Sequence, residues 1–175
     1  GSTNGGTTEL VDGIGNNNME RPDTSRDGKV VVYEQTDANG IQQVYFQRIG
    51  SGQDATLISR SSDQTVGNAN SLRPKVSADG SVIVFFSKAD NLVNFPTDDN
   101  GVEDIFVYDL KAAFLSRIVN LDTLEGGNGA SLYPDVNEDG SVIVFESKAT
   151  NLTGSTLSPG QRIFYYQSAI NETPI

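Results

Sequence analysis

The sequence predicts an all-β chain built from four-stranded antiparallel sheets, the blades of a β-propeller. Three observations lead to this prediction. A motif of a proline, a polar residue and Asp-Gly occurs three times; each copy continues into a run of Val, Ile and aromatic residues; and no segment shows the periodicity of an amphipathic helix. Self-similarity at a long period is typical of repeat architectures, and a β-helix coil needs a much shorter period than this one.

Each repeat centres on a proline, and Pro22, Pro74 and Pro134 lie 52 and 60 residues apart. A Ser or Asn stands three residues after each proline, and Asp-Gly begins two residues later. Asp-Gly between two β-rich runs is the strongest short hairpin signal, because a type I′ turn places both central residues at positive φ. We therefore expect each proline to begin a first strand and each glycine to adopt positive φ. The glycines are Gly28, Gly80 and Gly140.

The second strand of each repeat is a nearly continuous apolar run, which suits a strand buried on both faces. A third strand follows in every repeat, and a fourth follows in the first two. The second strands are predicted at 29–34, 81–86 and 141–146, the third from Val44, Asp104 and Arg162, and the fourth at 55–59 and 115–120. A sheet with two apolar faces needs neighbours, so we expect residues 1–175 to form a single propeller domain or half of one. Its blades span about 21–59, 73–120 and 133–175.

The two ends of the repeat series predict a ring made of two chains. The third blade lacks a fourth strand before Ile175, whereas Thr7–Val11 has the character of an outer strand without a blade. Three blades fall short of the typical 4–8. We expect a homodimer that closes as a six-bladed ring, in which each Thr7–Val11 completes the partner's third blade. The alternative is a fragment or a non-closing arrangement in which 170–175 is a stunted fourth strand.

The repeat resembles the WD40-like (PD40) repeats of the TolB-type propellers. The resemblance lies in P-x-x-S-x-D-G with its V-I-V-F run, in S-K-A-x-N-L and in DDNGVEDIFVYDL, and it covers the chain from about Thr7 onward. Two departures stand out. The aromatic residue often found before the Ser is replaced by Thr24, Val76 and Val136, and the third unit has Gln167 where the second has Asp109. The resemblance implies a non-catalytic propeller that holds a protein or peptide on one face and in its central channel.

The composition narrows the function classes. With 12 Lys and Arg against 23 Asp and Glu, the net charge is −11, so nucleic acid and anionic membranes are unsuitable partners. The chain has neither Cys nor His, which excludes Ser-His-Asp and Cys-His catalysis from its own residues. No stretch approaches a membrane-spanning length. We therefore expect no enzyme, no membrane insertion and, from the missing cysteines and the acidity, a bacterial periplasmic or extracellular location.

The most ligand-like segment is FPTDDNGVED, which offers Asp98, Asn100 and Asp104 as oxygen ligands for a hard cation. Calcium is therefore the one cofactor that the sequence suggests. The other interpretation is that the same side chains shape the turn by bonding their own backbone. Two aromatic residues, Phe95 in a polar loop and Tyr133 beside a proline, are candidates for a binding rim.

Three functions remain open at this level. The first is a non-catalytic binding or scaffold module for a protein or peptide. The second is the propeller domain of an exported hydrolase or lyase, with carboxylates or calcium at the channel mouth. The third is a truncated or engineered set of blades without a ligand.

Overall fold

A computed structural model of the chain describes residue 11 and residues 18–95 and 97–167. These residues form eleven strands and no helix, as the sequence predicts, and they include no helix able to cross a membrane. The strands are β1 Met19–Thr24, β2 Val30–Thr36, β3 Gln42–Arg48, β4 Thr56–Leu57, β5 Ser71–Val76, β6 Val82–Ser87, β7 Asp104–Asp109, β8 Phe114–Arg117, β9 Ser131–Val136, β10 Val142–Ser147 and β11 Arg162–Gln167.

The strands assemble into three antiparallel sheets, which we call blades 1, 2 and 3. Blade 1 has the order β1-β2-β3-β4, and blade 2 has the order β5-β6-β7-β8. Blade 3 contains β9, β10 and β11 within the described residues. The predicted outer strand Thr7–Val11, apart from Val11, and the predicted stunted strand at 170–175 lie outside the described residues.

The inner strands β1, β5 and β9 differ from the prediction in where they begin. Each starts three residues before its proline instead of at the proline. The register shifts at that point in every blade, for example between Leu72 and Lys75. A proline has no N–H to give to the ladder, and a β-bulge accommodates it inside a strand.

The Asp-Gly hairpins also differ from the predicted type. Positive φ is confirmed at Gly28, Gly80 and Gly140, with values of 70°, 74° and 76°. The preceding aspartates do not share it, so the type I′ prediction is wrong. The Gly80 N–H donates to the Ser77 carbonyl, which makes a four-residue turn that ends in a left-handed glycine. The Ser77 hydroxyl accepts from the Val82 N–H at 3.0 Å and closes the loop.

Two apolar layers lie between the blades and make β6 the buried centre of the fold. Every residue of β6 is buried. Ile83 and Phe85 face blade 1, where they join Val32 and Val44 in one core cluster. The alternate residues of β6 face blade 3 and pack with a second cluster that includes Phe145. Because successive side chains of a strand point to opposite faces, β6 contributes to the interface with blade 1 and to the interface with blade 3.

Blade 3 buries only one of its faces. Ile143 and Phe145 lie in the layer against blade 2. On the opposite face Val144 is 41% exposed, and Ile163 and Tyr165 are each 71% exposed. The prediction that all three second strands are buried on both faces is therefore wrong for β10, because the described residues place no blade on this side.

Candidate binding site

An unusual backbone conformation recurs just before the three repeat prolines. Arg21, Arg73 and Tyr133 have φ of 49°, 55° and 53°, in the left-handed region that residues other than glycine rarely adopt. Each stands in the bulge of an inner strand, and a bulge re-aims the side chain that it carries. Such strain is of order 1–3 kcal/mol per residue and is concentrated at ligand sites.

The three bulges converge on one cavity, which we call the inner cleft. It has a volume of about 380 Å³ and lies where the inner strands of the three blades come together. Its lining consists of Arg21, Pro22, Arg73, Pro74, Lys75, Tyr133, Pro134 and Asp135. Equivalent positions of three repeats therefore meet in space although more than 100 residues separate the first from the last.

A buried carboxylate holds two of the bulges in place. The side chain of Glu34 is fully buried, and its Oε2 accepts from Nη1 of Arg21 at 2.6 Å. Its Oε1 accepts from the backbone N–H of Arg73, also at 2.6 Å. Both oxygens of one carboxylate are thus engaged, which compensates the desolvation of the charge. Glu34 fixes the Arg73 backbone while leaving the Arg73 guanidinium in the cleft.

The cleft is cationic in a strongly acidic chain. The Arg73 guanidinium lies 5.5 Å from the ring centroid of Tyr133 and makes no ion pair with any described residue. Lys75 has only a 3.8 Å contact with Asp23. The Tyr133 ring packs against Phe86 in a T-shaped arrangement, with the two ring centroids 5.9 Å apart, and this contact orients it under the arginine. The cleft therefore presents a positioned guanidinium with donors to spare.

The residues predicted to bind calcium are brought together around an arginine. Asp98 Oδ1 and Asp104 Oδ2 each lie 2.9 Å from Nη1 of Arg117, whose side chain is 1% exposed. Asn100 donates to Asp104 Oδ2 and to the carbonyl oxygen of Gly127. A cation at these oxygens would have to displace the guanidinium.

Asp98 and Asp104 share the single guanidinium of Arg117, so when both carboxylates are ionised this buried cluster carries excess negative charge. Burial raises the pKa of Asp104 to about 6, the nearby charge of Asp98 adds to this, and Arg117 opposes it. Burial also raises the pKa of Asp98. No group of three or more His, Cys, Asp or Glu able to hold a metal occurs in residues 18–95 and 97–167. Calcium binding by Asp98, Asn100 and Asp104 remains a prediction.

A second cavity adjoins this cluster. Its volume is about 530 Å³, and its lining includes Arg117, Asn100 and Asn128. Phe95, the other candidate rim residue, is 77% exposed and stands at its edge. Arg117, which contacts both buried carboxylates, forms part of the cavity's lining, whereas Asp98 and Asp104 do not.

Two of the Asp-Gly carboxylates illustrate a purely structural role. The hydrogen bond from the Lys29 backbone N–H and then that from the Ser25 hydroxyl lower the pKa of Asp27. The Ser141 hydroxyl and backbone N–H do the same for Asp139. These carboxylates are acceptors that close the turn and remain ionised.

Sequence reasoning selected Tyr133 as a rim residue, and it lines the inner cleft. It missed Arg21, Arg73 and Arg117. Arg21 and Arg73 each stand directly before a repeat proline, and that recurring position could have pointed to both. No local sequence pattern points to Arg117, because its partners Asp104 and Asp98 lie 13 and 19 residues away in the chain.

Comparison with known proteins bears on the fold. No family model and no curated protein sequence matches the chain. Solved structures do match it, including TolB from Acinetobacter baumannii (TM-score 0.53, 20% identity, 88% of this chain and 31% of that one). A putative TolB from Agrobacterium tumefaciens gives a TM-score of 0.56 and 20% identity over 93% of this chain and 50% of that one. A structure from a study of two prolyl endopeptidases gives a TM-score of 0.50 and 14% identity, over 85% of this chain and 19% of that one.

These similarities show that the chain has a TolB-like β-propeller fold. The chain spans 31% and 50% of the length of the two TolB structures. At 20% identity or less the likeness concerns the fold alone, so the function has to be argued from the site.

Proposed function

We propose that the chain is a non-catalytic β-propeller binding module that holds a protein or peptide partner at the inner cleft. The observation that carries this proposal is the position of Arg73, which lies over Tyr133 without an ion pair to any described residue. A guanidinium presents its donors in a fixed fork that matches a carboxylate. A ring beneath it holds the fork in place and adds a cation–π contribution.

The chemistry of the cleft selects an anionic segment. Arg21, Arg73 and Lys75 line one cavity, where Asp135 is the only carboxylate among the described lining residues. Arg21 is paired with Glu34 and Lys75 lies 3.8 Å from Asp23, so the Arg73 guanidinium is the charge left for a ligand. The chain as a whole has a charge of −11, so this is a local reversal of sign. Such complementarity steers a partner and fixes its orientation. The partner segment is therefore expected to carry Asp, Glu or a free carboxyl terminus.

Composition supports a non-catalytic role. The 175 residues contain no His and no Cys, so the chain cannot supply a nucleophile with an imidazole base. The Asp27 and Asp139 carboxylates are engaged in turns, and Asp98 and Asp104 contact Arg117. The described lining of the cleft consists of Arg, Lys, Tyr and Pro side chains together with Asp135.

The proposed assembly is a homodimer whose two sets of three blades close as a six-bladed ring, and the proposed location is an exported bacterial compartment. The ring is supported by the exposed apolar face of blade 3. Export is supported by the absence of cysteine and by the acidity of the chain.

The binding proposal is tested with a fluorescein-labelled (Glu-Asp)₄ peptide and a matched (Gln-Asn)₄ peptide in anisotropy titrations. Arg73→Gln should weaken binding of the acidic peptide at least about tenfold, equivalent to about 1.4 kcal/mol. The control is Arg48→Gln, because Arg48 also lies over an aromatic ring, 5.9 Å from Phe46, but is not part of the cleft. Binding should weaken in 0.5 M salt.

The proposal fails if Arg73→Gln binds the acidic peptide as tightly as the parent chain. It also fails if Arg48→Gln loses as much affinity, or if the neutral peptide binds equally well, since each result would show that the cleft arginine does not select the ligand.

A further inference from the structure

Neighbouring blades touch at equivalent positions, and the counterparts of these positions at the two ends of the series face no described blade. The first contact is steric. An ideal Cβ on Gly80 would lie 3.1 Å from a methyl of Val30, and one on Gly140 would lie 2.8 Å from the Cβ of Val82. A hairpin glycine therefore packs on the first valine of the preceding blade's second strand. The unused halves are Val142 in blade 3 and Gly28 in blade 1, which has nothing within 4 Å of its ideal Cβ.

The second contact joins a residue near the end of one blade's second strand to the residue that precedes the proline of the next blade. Between blades 1 and 2, the Glu34 carboxylate accepts from the Arg73 N–H. Between blades 2 and 3, the equivalent residues are both aromatic, and Phe86 packs edge-on against Tyr133. The remaining residues at these positions are Glu146 in blade 3 and Arg21 in blade 1. Glu146 stands at the position of Glu34, and the Arg21 N–H stands at the position of the Arg73 N–H; Glu146 also accepts from Nε2 of Gln161 in its own chain.

The third contact is a hydrogen bond along the inner strands. Asp23 Oδ2 in blade 1 accepts from the Val76 N–H in blade 2 at 3.0 Å. The position of Asp23 in blade 3 is again an aspartate, Asp135, and it is exposed. The position of Val76 in blade 1 is Thr24, which is exposed as well.

Burial follows the same pattern. Pro74 and Pro134 are buried by the preceding blade, and so are Gly80 and Gly140. Their counterparts Pro22 and Gly28 are exposed, in keeping with an inner strand β1 that is exposed at five of its six residues. At the other end, the apolar row of blade 3 is exposed at Val144, Ile163 and Tyr165. An apolar row of this kind marks an interaction surface.

We propose that the open face of blade 3 binds the inner strand and hairpin of blade 1 from a second copy of the chain. In this interface Gly28 of the second copy packs on Val142, its Arg21 N–H donates to Glu146, and its Thr24 N–H donates to Asp135. The interface rests on the ring given under the proposed function, and it defines which surfaces close that ring. Two identical interfaces related by a two-fold axis leave no open face.

Exposure selects blade 1 of the second copy over its other blades. Blade 1 is the blade whose proline and hairpin glycine, Pro22 and Gly28, are exposed. In blade 3 of a second copy the equivalent residues Pro134 and Gly140 are already buried, and Gly140 packs on Val82 of its own chain. Among the described inner strands, only that of blade 1 is therefore open to a second copy. Blade 2 has both of its faces buried within its own chain.

The interface is tested by engineered disulfides, since the chain has no cysteine of its own. The variant Thr24→Cys with Asp135→Cys should oxidise to a covalent dimer on a non-reducing gel. The positive control is Asp23→Cys with Val76→Cys, at the equivalent contact inside one chain, and it should give a cross-linked monomer. The negative control replaces Thr24→Cys by Ser51→Cys, at an exposed loop position, and should give no dimer.

Light scattering and sedimentation of the uncrosslinked protein provide the second readout. The parent chain should be a dimer at 10 µM, and Glu146→Lys should raise the dimer dissociation constant at least tenfold. Glu125→Lys, the same charge change in an exposed loop, should not raise it. A monomeric parent chain, a ladder of larger oligomers, or a cysteine pair that stays uncrosslinked while the positive control forms would each overturn the interface. Acidic-peptide binding is measured separately, so failure of the interface and failure of the cleft are distinguishable.

Discussion

Replacing Gly140 with Ala measures how tightly the third hairpin is packed against blade 2. Gly140 has φ of 76°, and an added Cβ would lie 2.8 Å from the Cβ of Val82 and still nearer to one of its methyl groups. Val82 is completely buried, so it has little room to move. The substitution therefore combines an unfavourable backbone conformation with overpacking.

The two contributions can be estimated separately. A residue with a Cβ in the left-handed region is destabilised by roughly 1–2 kcal/mol relative to glycine. Overpacking of a buried contact adds about 1–3 kcal/mol. We expect Gly140→Ala to lower the free energy of unfolding by about 3 kcal/mol. With a urea slope of about 2 kcal/mol per molar, the midpoint should fall by about 1.5 M.

Urea denaturation followed by tyrosine fluorescence measures this loss, and Gly40→Ala is the matched control. Gly40 ends a turn of the same kind with φ of 81°, but nothing lies within 4 Å of its ideal Cβ, so it should lose only about 1 kcal/mol. The double variant Gly140→Ala with Val82→Ala should lose less stability than the sum of the two single losses, by a favourable coupling of about 1 kcal/mol. Equal losses for Gly140→Ala and Gly40→Ala, or no coupling with Val82→Ala, would refute the interblade contact.

Three further predictions concern buried charge. The pKa of Asp104 is raised from 3.8 to about 6 in the folded chain, so folding favours its protonated form, and stability is lost as the pH rises through that window. Relative to Asp104→Asn, the parent chain should lose about 1–3 kcal/mol of unfolding free energy between pH 4 and pH 7 in denaturation curves, and parallel pH profiles would contradict this. For calcium, titration calorimetry of the parent chain should show weak binding that Asp98→Ala removes, and equal heats from both proteins would exclude this loop. Finally, Glu34→Ala should destabilise the chain by about 3–5 kcal/mol. The control Glu20→Ala removes an exposed carboxylate 3.6 Å from the same Arg21 and should change stability by less than about 1 kcal/mol. Similar thermal shifts for the two variants would show that the buried carboxylate does not hold the bulges.

The inner cleft shows why part of the site escaped prediction. The sequence reveals that a residue precedes a proline in each repeat, and it marks Tyr133 as a candidate. It does not reveal that the bulge turns Arg21, Arg73 and Tyr133 to a common cavity, because that depends on how three separate sheets pack. The partner of Asp98 and Asp104 escaped prediction for the same reason, because Arg117 reaches these carboxylates only through the pairing of β7 with β8.

By itself, the sequence determined the features that depend on neighbouring residues: the strands, the order of the hairpins, the positive φ of Gly28, Gly80 and Gly140, and the division into three repeats. These follow from alternation, turn chemistry and β-propensity, which act over a few residues. The tertiary structure decided the turn type, the bulges at the prolines, the buried partner of the acidic loop and the face of blade 3 that stays exposed. Each of these depends on contacts between residues far apart in the chain, where packing and desolvation outweigh local preference.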